Sequence, residues 1–156
     1  MILKRHSPTA VRLLTVLLAL ILELIGCGRK VAPTLERPPP NMGQIVVLFM
    51  NYIGLHGGQS PGSADEFKRF IRTDGAPQAK QLGVDLARLE ELFICPRDQQ
   101  PYFINYGLRV GDNSKGLPII AYEARGRDGN RTVAFVNGQI DEVDANRAAE
   151  LGLKTG

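Results

Sequence analysis

Residues 131–143 read Arg-Thr-Val-Ala-Phe-Val-Asn-Gly-Gln-Ile-Asp-Glu-Val. Two runs rich in apolar and β-branched residues, Arg131 to Val136 and Gln139 to Val143, flank Asn137-Gly138, a pair suited to the two positive-φ positions of a type I′ turn. The stretch therefore predicts an antiparallel hairpin. Working back from it, Asp128-Gly129-Asn130 predicts a slightly longer turn, and Leu117–Glu123 and Tyr102–Tyr106 predict two earlier strands separated by Gly, Asp and Asn clusters. Asp144–Leu153 reads as a short terminal helix or a frayed end.

Ahead of Pro96 the period changes. Met42, Ile45, Val46, Phe49, Tyr52 and Ile53 fall at the spacing of a helix face within Asn41–Leu55. Val47, Leu48 and Met50 widen that face almost to a full circle, so the helix is expected either to be mostly buried or to present those three residues as an apolar stripe suited to a partner helix or a lipid surface. Gly57-Gly58 ends it. Ser63-Ala64-Asp65-Glu66 is a capping box before Phe67, Phe70 and Ile71, which predicts a second helix ending near Asp74-Gly75. Asp85 caps a third, with Leu86, Leu89, Leu92 and Phe93 inward. Helices followed by a meander give an α+β domain over residues 41–156.

The first 40 residues carry a different message. Lys4, Arg5 and Arg12 lie before an uncharged run, Leu13–Leu22, which Glu23 closes. A basic start and a ten-residue run that is apolar except for Thr15 are the layout of a secretory signal, short of the about 20 residues that a membrane-spanning helix needs. Leu24-Ile25-Gly26-Cys27 follows and resembles the bacterial lipobox. A thiol there is the nucleophile that accepts a diacylglyceryl group, and the small residue before it lets a signal peptidase approach. The resemblance implies removal of residues 1–26, lipidation of Cys27, and a protein held on the bilayer at the periplasmic side of a bacterial envelope. Residues 27–40, with Pro33 and Pro38-Pro39-Pro40, read as a tether reaching roughly 40 Å.

Particular residues of the folded part resemble those of pseudopilins and prepilin-like envelope proteins. Asn51-Tyr52 with His56-Gly57 and Pro61 is similar to the join after that family's long helix. Val133–Ile140 is similar to its late hairpin, and Pro96-Arg97-Asp98 with Pro101-Tyr102 to a further shared turn. The resemblance implies a long N-terminal helix and one or two short helices packed on a small antiparallel sheet, and an envelope address, without any activity to carry over. Asn137 and Gln139 stand where that family often has Asp and His. The chain start lacks the prepilin-peptidase pattern, which argues for lipidation in place of pilus assembly.

The remaining chemistry is sparse. From Cys27 onward there are 16 basic and 15 acidic side chains, a balance that argues against a nucleic-acid partner. Gly58-Gln59-Ser60-Pro61-Gly62 has nucleophile-elbow spacing, but both histidines, His6 and His56, precede Ser60, and the flanks predict a turn. Asp112 to Glu123 imitates a calcium loop but has Leu117 where a glycine is needed. His56 and Cys95 alone cannot hold zinc, and His56 reads as a helix-end residue bonding a carbonyl. Cys95, with Cys27 modified, has no disulfide partner and reads as a small buried hydrophobe. No cofactor, metal or small-molecule substrate is expected. The leading expectation is a non-catalytic, lipid-anchored structural or protein-binding module that meets the bilayer through Cys27 and an envelope protein through its domain. The alternatives are a small periplasmic hydrolase working through Asp98, Asp112, Glu123 or Asp128, and a lipid-anchored subunit of a secretion apparatus.

Overall fold

Helix α1 spans Pro40–Leu55, and its buried side is made by Met42, Ile45, Val46, Leu48, Phe49, Tyr52 and Ile53. The computed structural model describes residues 40–109 and 116–156; the expected signal segment, Cys27, the expected tether up to residue 39, and Asp112 lie outside the described residues. The apolar circle expected of α1 is incomplete. Leu48 stands three residues after Ile45 and four before Tyr52, which places it on the inner face, and it is fully buried. It is thereby removed from the expected outer stripe. Val47 points out at 41% exposure, and Met50 is half-buried. At its start α1 is pinned by side-chain amides: Asn41 donates to the carbonyls of Glu91 and Ile94 at 3.0 and 3.1 Å, and Gln44 to that of Leu82 at 2.9 Å.

The far end of α1 closes as its glycines require. Gly57 and Gly58 adopt φ of 61° and 89°, and the Gly58 amide donates back to the Ile53 carbonyl at 2.9 Å. His56 lies flat on the Tyr52 ring, 3.8 Å between centroids, with Nδ1 2.8 Å from the Tyr52 carbonyl.

Helix α2, Ala64–Arg72, begins with the expected cap: Ser63 is extended and its hydroxyl accepts from the Glu66 amide at 3.2 Å. Glu66 reaches one residue further back than a capping box requires, accepting from the Gly62 amide at 2.8 Å. Its other oxygen accepts from the Tyr52 hydroxyl. That bond pushes the Tyr52 phenol up to about 12 and holds the Glu66 carboxyl below its ordinary value. Phe67 meets Phe49 edge to face at 5.3 Å and Phe70 meets Tyr52 at 5.1 Å, so α2 is sealed onto α1 by aromatic contact.

Helix α3, Ala76–Gln81, has no counterpart in the sequence expectations; it buries Ala79 alone, too little for a periodic signal. Gly75 before it is a close approach: a Cβ there would stand 2.7 Å from the Phe70 ring. A 3₁₀ turn, Leu86–Arg88, capped by Asp85, leads into α4, Leu89–Leu92.

The sheet is a four-stranded antiparallel meander, β1 (Phe103–Ile104), β2 (Ile119–Tyr122), β3 (Arg131–Phe135) and β4 (Ile140–Val143), in sequence order. Its two turns exchange the forms expected of them. Asp128 and Gly129 both have positive φ, 53° and 82°, and Arg127 and Asn130 exchange both backbone bonds around them, so the two-residue hairpin with both central φ positive lies there. At the later turn only Gly138 is positive, at 85°; its amide donates to the Phe135 carbonyl at 2.9 Å and that of Phe135 to Gln139 at 2.9 Å. Three residues therefore form that loop, ending in a glycine bulge.

Ile120, Ala121, Ala134 and Val136 belong to the core that α1, α2 and α4 share. On the other face Tyr122, Val133 and Val143 form a second cluster, covered by α5 (Ala145–Glu150) and the tail through Ala148, Leu151 and Leu153. Asp144 caps α5, accepting from the Arg147 amide at 2.8 Å. The terminal segment is thus a helix, the first of the two forms expected for it.

Candidate functional site

The turn from Cys95 to Tyr102 gathers the densest polar chemistry of the described residues. It is held as a loop on a short ladder: the Cys95 amide donates to the Gln100 carbonyl at 2.8 Å, the Gln99 amide to that of Cys95 at 2.9 Å, and the Tyr102 amide to that of Phe93 at 2.9 Å. Gln99 takes a left-handed conformation, φ 57°, to close it.

Beneath the turn lies Glu123, the residue after β2, with no exposed surface. One carboxylate oxygen accepts from the Thr132 amide at 2.8 Å. The other accepts from the Cys95 thiol at 3.1 Å and lies 3.6 Å from Nε of Arg97. The Arg97 side chain, 12% exposed, donates through its two terminal nitrogens to the Thr132 hydroxyl at 3.1 Å and to Glu142 at 2.9 Å. A single guanidinium therefore reaches from the turn to the end of β2, to β3 and to β4. Glu123 and Thr132 are the polar residues that the core buries, and both are bonded within this cluster.

Burial, and then the bond to Glu123, pushes the Cys95 thiol up to about 11. At neutral pH it is a protonated hydrogen-bond donor. Tyr102, buried and beside Cys95, is likewise raised above the ordinary phenol range, by burial first. Asp98 behaves oppositely. Burial alone would raise its carboxyl, but the amides of Gln100, Arg125 and Gly126, each 3.0 Å away, outweigh that and hold it below the ordinary range.

That sign fixes a pH effect. A carboxyl whose folded value lies below its unfolded one, about 3.9, contributes stability that is complete above that value and lost as pH falls through the folded one. Asp98→Asn is expected to cost about 1–3 kcal/mol at pH 7. Its urea midpoint is then expected to fall less steeply than that of the wild type in the window below about pH 4. Parallel slopes in that window would refute the assignment.

Asp98, Glu123 and Asp128, the described ones among the carboxylates named from sequence, line no common depression. Asp98 and Glu123 come under one turn, but each is saturated by internal donors. Asp128 sits at the tip of its hairpin, 87% exposed and 3.6 Å from Arg127. None of three surface depressions, about 530, 220 and 490 Å³, is lined by any of the three. The largest includes Ser60, whose hydroxyl donates to the Pro61 carbonyl at 3.4 Å in a turn with no strand before it and no helix directly after. His56 keeps the carbonyl bond expected of it. No set of three His, Cys, Asp or Glu side chains among the described residues is placed to hold a metal ion. No helix among them is long and apolar enough to cross a membrane.

Thr132 carries no site signal in the sequence, and Arg97 enters there only as part of the turn Pro96-Arg97-Asp98. The available signal was Glu123 itself, an acid at the end of the apolar run Ile119–Tyr122, which has to find donors if it folds inward. Compared with family models, curated proteins and solved structures, the chain matches none.

Proposed function

We propose that the protein is a lipid-anchored bacterial envelope lipoprotein whose pseudopilin-like domain is a structural or protein-binding module held at the periplasmic face of a membrane. The observation that carries this reading is the order of features at the start of the chain: Lys4, Arg5 and Arg12, the apolar run Leu13–Leu22, then Leu24-Ile25-Gly26-Cys27. The physics of anchoring supports it. Each acyl CH₂ in the bilayer contributes about 0.8 kcal/mol, and one chain alone holds only reversibly, so the two or three chains of a lipidated cysteine make the attachment effectively permanent.

The fold suits such a role in a second way. A 16-residue helix packs on a small antiparallel sheet, and the Glu123 carboxylate under the 95–102 turn is engaged by the Cys95 thiol and the Thr132 amide, as a brace is.

The test is Cys27→Ser in the full chain. Wild type is expected to incorporate a fatty-acid analogue and to sediment with membranes, and the variant to lose both. Native protein whose mass shows a bare sulfur at Cys27 and an intact Met1 would end this reading.

A further inference from the structure

The loop between β3 and β4 carries chemistry as well as geometry. Of the chain's seven asparagines, Asn137 alone precedes a glycine. An asparagine amide carbon is an electrophile that the next backbone nitrogen reaches by closing a five-membered ring, and glycine leaves that nitrogen without a side chain beside it. Residues 137–139 are exposed, so water and hydroxide have access.

The hydrogen bonds around Asn137 prepare its side-chain carbonyl for attack. Oδ1 accepts from the Gln139 amide at 3.0 Å, and Nδ2 donates to Gln139 Oε1 at 3.3 Å. The amide donor polarises Cγ and stands against the oxygen on which negative charge develops when a nucleophile adds. One contact opposes the reaction: the Gly138 amide donates to the Phe135 carbonyl at 2.9 Å and must leave it before its nitrogen can attack. That bond lies beyond Ala134 and Ile140, the register pair of β3 and β4 nearest the loop, so it opens while the sheet stays paired.

We propose that Asn137 is a modification site that deamidates in the folded domain. The Gly138 nitrogen gives its proton to hydroxide and attacks Asn137 Cγ. As the new C–N bond forms, the Cγ–Nδ2 bond breaks, and Nδ2 leaves as ammonia with a proton from water. Water then opens the succinimide at either carbonyl, giving aspartate or isoaspartate at position 137. One water enters and one ammonia leaves, with no change of oxidation state. Opening at the α-carbonyl carries the main chain through the side-chain methylene, which lengthens a loop closed by the Gly138–Phe135 and Phe135–Gln139 bonds. Opening at Cγ keeps an acceptor for the Gln139 amide but loses the donor to Gln139 Oε1, in a turn where Gln139 Nε2 already serves Asp141 at 2.7 Å. By either route the end of the hairpin gains a negative charge irreversibly. The reaction needs nothing from the anchor proposed above.

The test incubates the purified full chain near neutral pH and reads its tryptic peptides by mass spectrometry. A gain of one dalton at Asn137 is expected, at a rate that rises with hydroxide and ahead of any gain at the other asparagines. Asn137→Gln, which would have to close a six-membered ring, is expected to abolish the gain, and Gly138→Ala to slow it at least tenfold. Unchanged circular dichroism of each variant confirms that it folds. Incubation in urea decides whether the folded turn reacts. Chemistry confined to globally unfolded molecules would run about a thousandfold or more slower in the native protein than in urea, whereas local opening keeps the native rate within about a hundredfold. A native rate below that limit, a gain that persists in Asn137→Gln, or an earlier gain at another asparagine would each overturn the site.

Discussion

Arg97→Met is expected to destabilise the folded domain by about 3–5 kcal/mol, the cost of leaving a buried charge without its partner. The carboxylate concerned is Glu123, which has no exposed surface and would keep the Thr132 amide and the Cys95 thiol but lose the cation 3.6 Å away. Thr132 and Glu142 would lose a donor as well. A domain of this size has about 5–15 kcal/mol in total, so the loss is a large share of its stability. Urea denaturation followed by circular dichroism measures the effect. The cause is separable from lost packing, because Arg97→Met combined with Glu123→Gln removes the stranded charge. The double variant is expected to recover about 1–3 kcal/mol of the loss. Strict additivity of the two changes would remove the ion pair from the explanation.

Phe49→Ala is expected to cost a similar amount, about 3–5 kcal/mol, through a different mechanism. Phe49 is fully buried in α1, meets Phe67 edge to face, and belongs to the core shared with the sheet residues Ile120 and Ala134. Truncation leaves a cavity between helices and sheet that α1 cannot fill by shifting, since Asn41 and Gln44 pin its start to the carbonyls of Glu91, Ile94 and Leu82. The loss is expected in the urea midpoint with an unchanged slope, and to be independent of pH. Phe49→Leu, which restores most of the volume, is expected to recover more than half of it. Equal midpoints for the alanine and leucine variants would show that the site relaxes, contrary to this account.

The α+β order was legible because its signals are local. The periods of α1 and of the strands, the Ser63 cap and the Asp85 cap each depend on residues within a few positions of one another, and the structure reproduces them. What escaped reading depends on distant parts. Leu48 looked like part of an outer stripe because apolar residues surround it in sequence; the direction of α1 against α2 and the sheet decided that it faces inward. The turn at Asn137-Gly138 has the better dipeptide for a two-residue hairpin, yet the β3–β4 register pairs Ala134 with Ile140 and leaves room for a longer loop. Asp128-Gly129, the weaker pair by composition, takes the tight form because Arg127 and Asn130 bond to each other around it. Helix α3 has a single buried residue and was invisible to periodicity. The polar cluster was half legible: Glu123 and Asp98 were flagged as acids beside the sheet, but nothing near Arg97 in sequence announces partners on β3 and β4.

The reach of Arg97 also bears on how the chain comes apart. Its contacts to Thr132 and Glu142 close loops of 35 and 45 residues, and these partners stand on neighbouring strands that must already be in register before one guanidinium can meet both. Such a contact is costly to form early, because the closure entropy of both loops comes first. It therefore belongs to the last stage of assembly and the first of disassembly. Its removal falls mainly on the unfolding limb of a chevron plot and leaves the folding limb nearly where it was. The guanidinium works as a latch on the finished sheet, governing how long the domain lasts more than how quickly it is made.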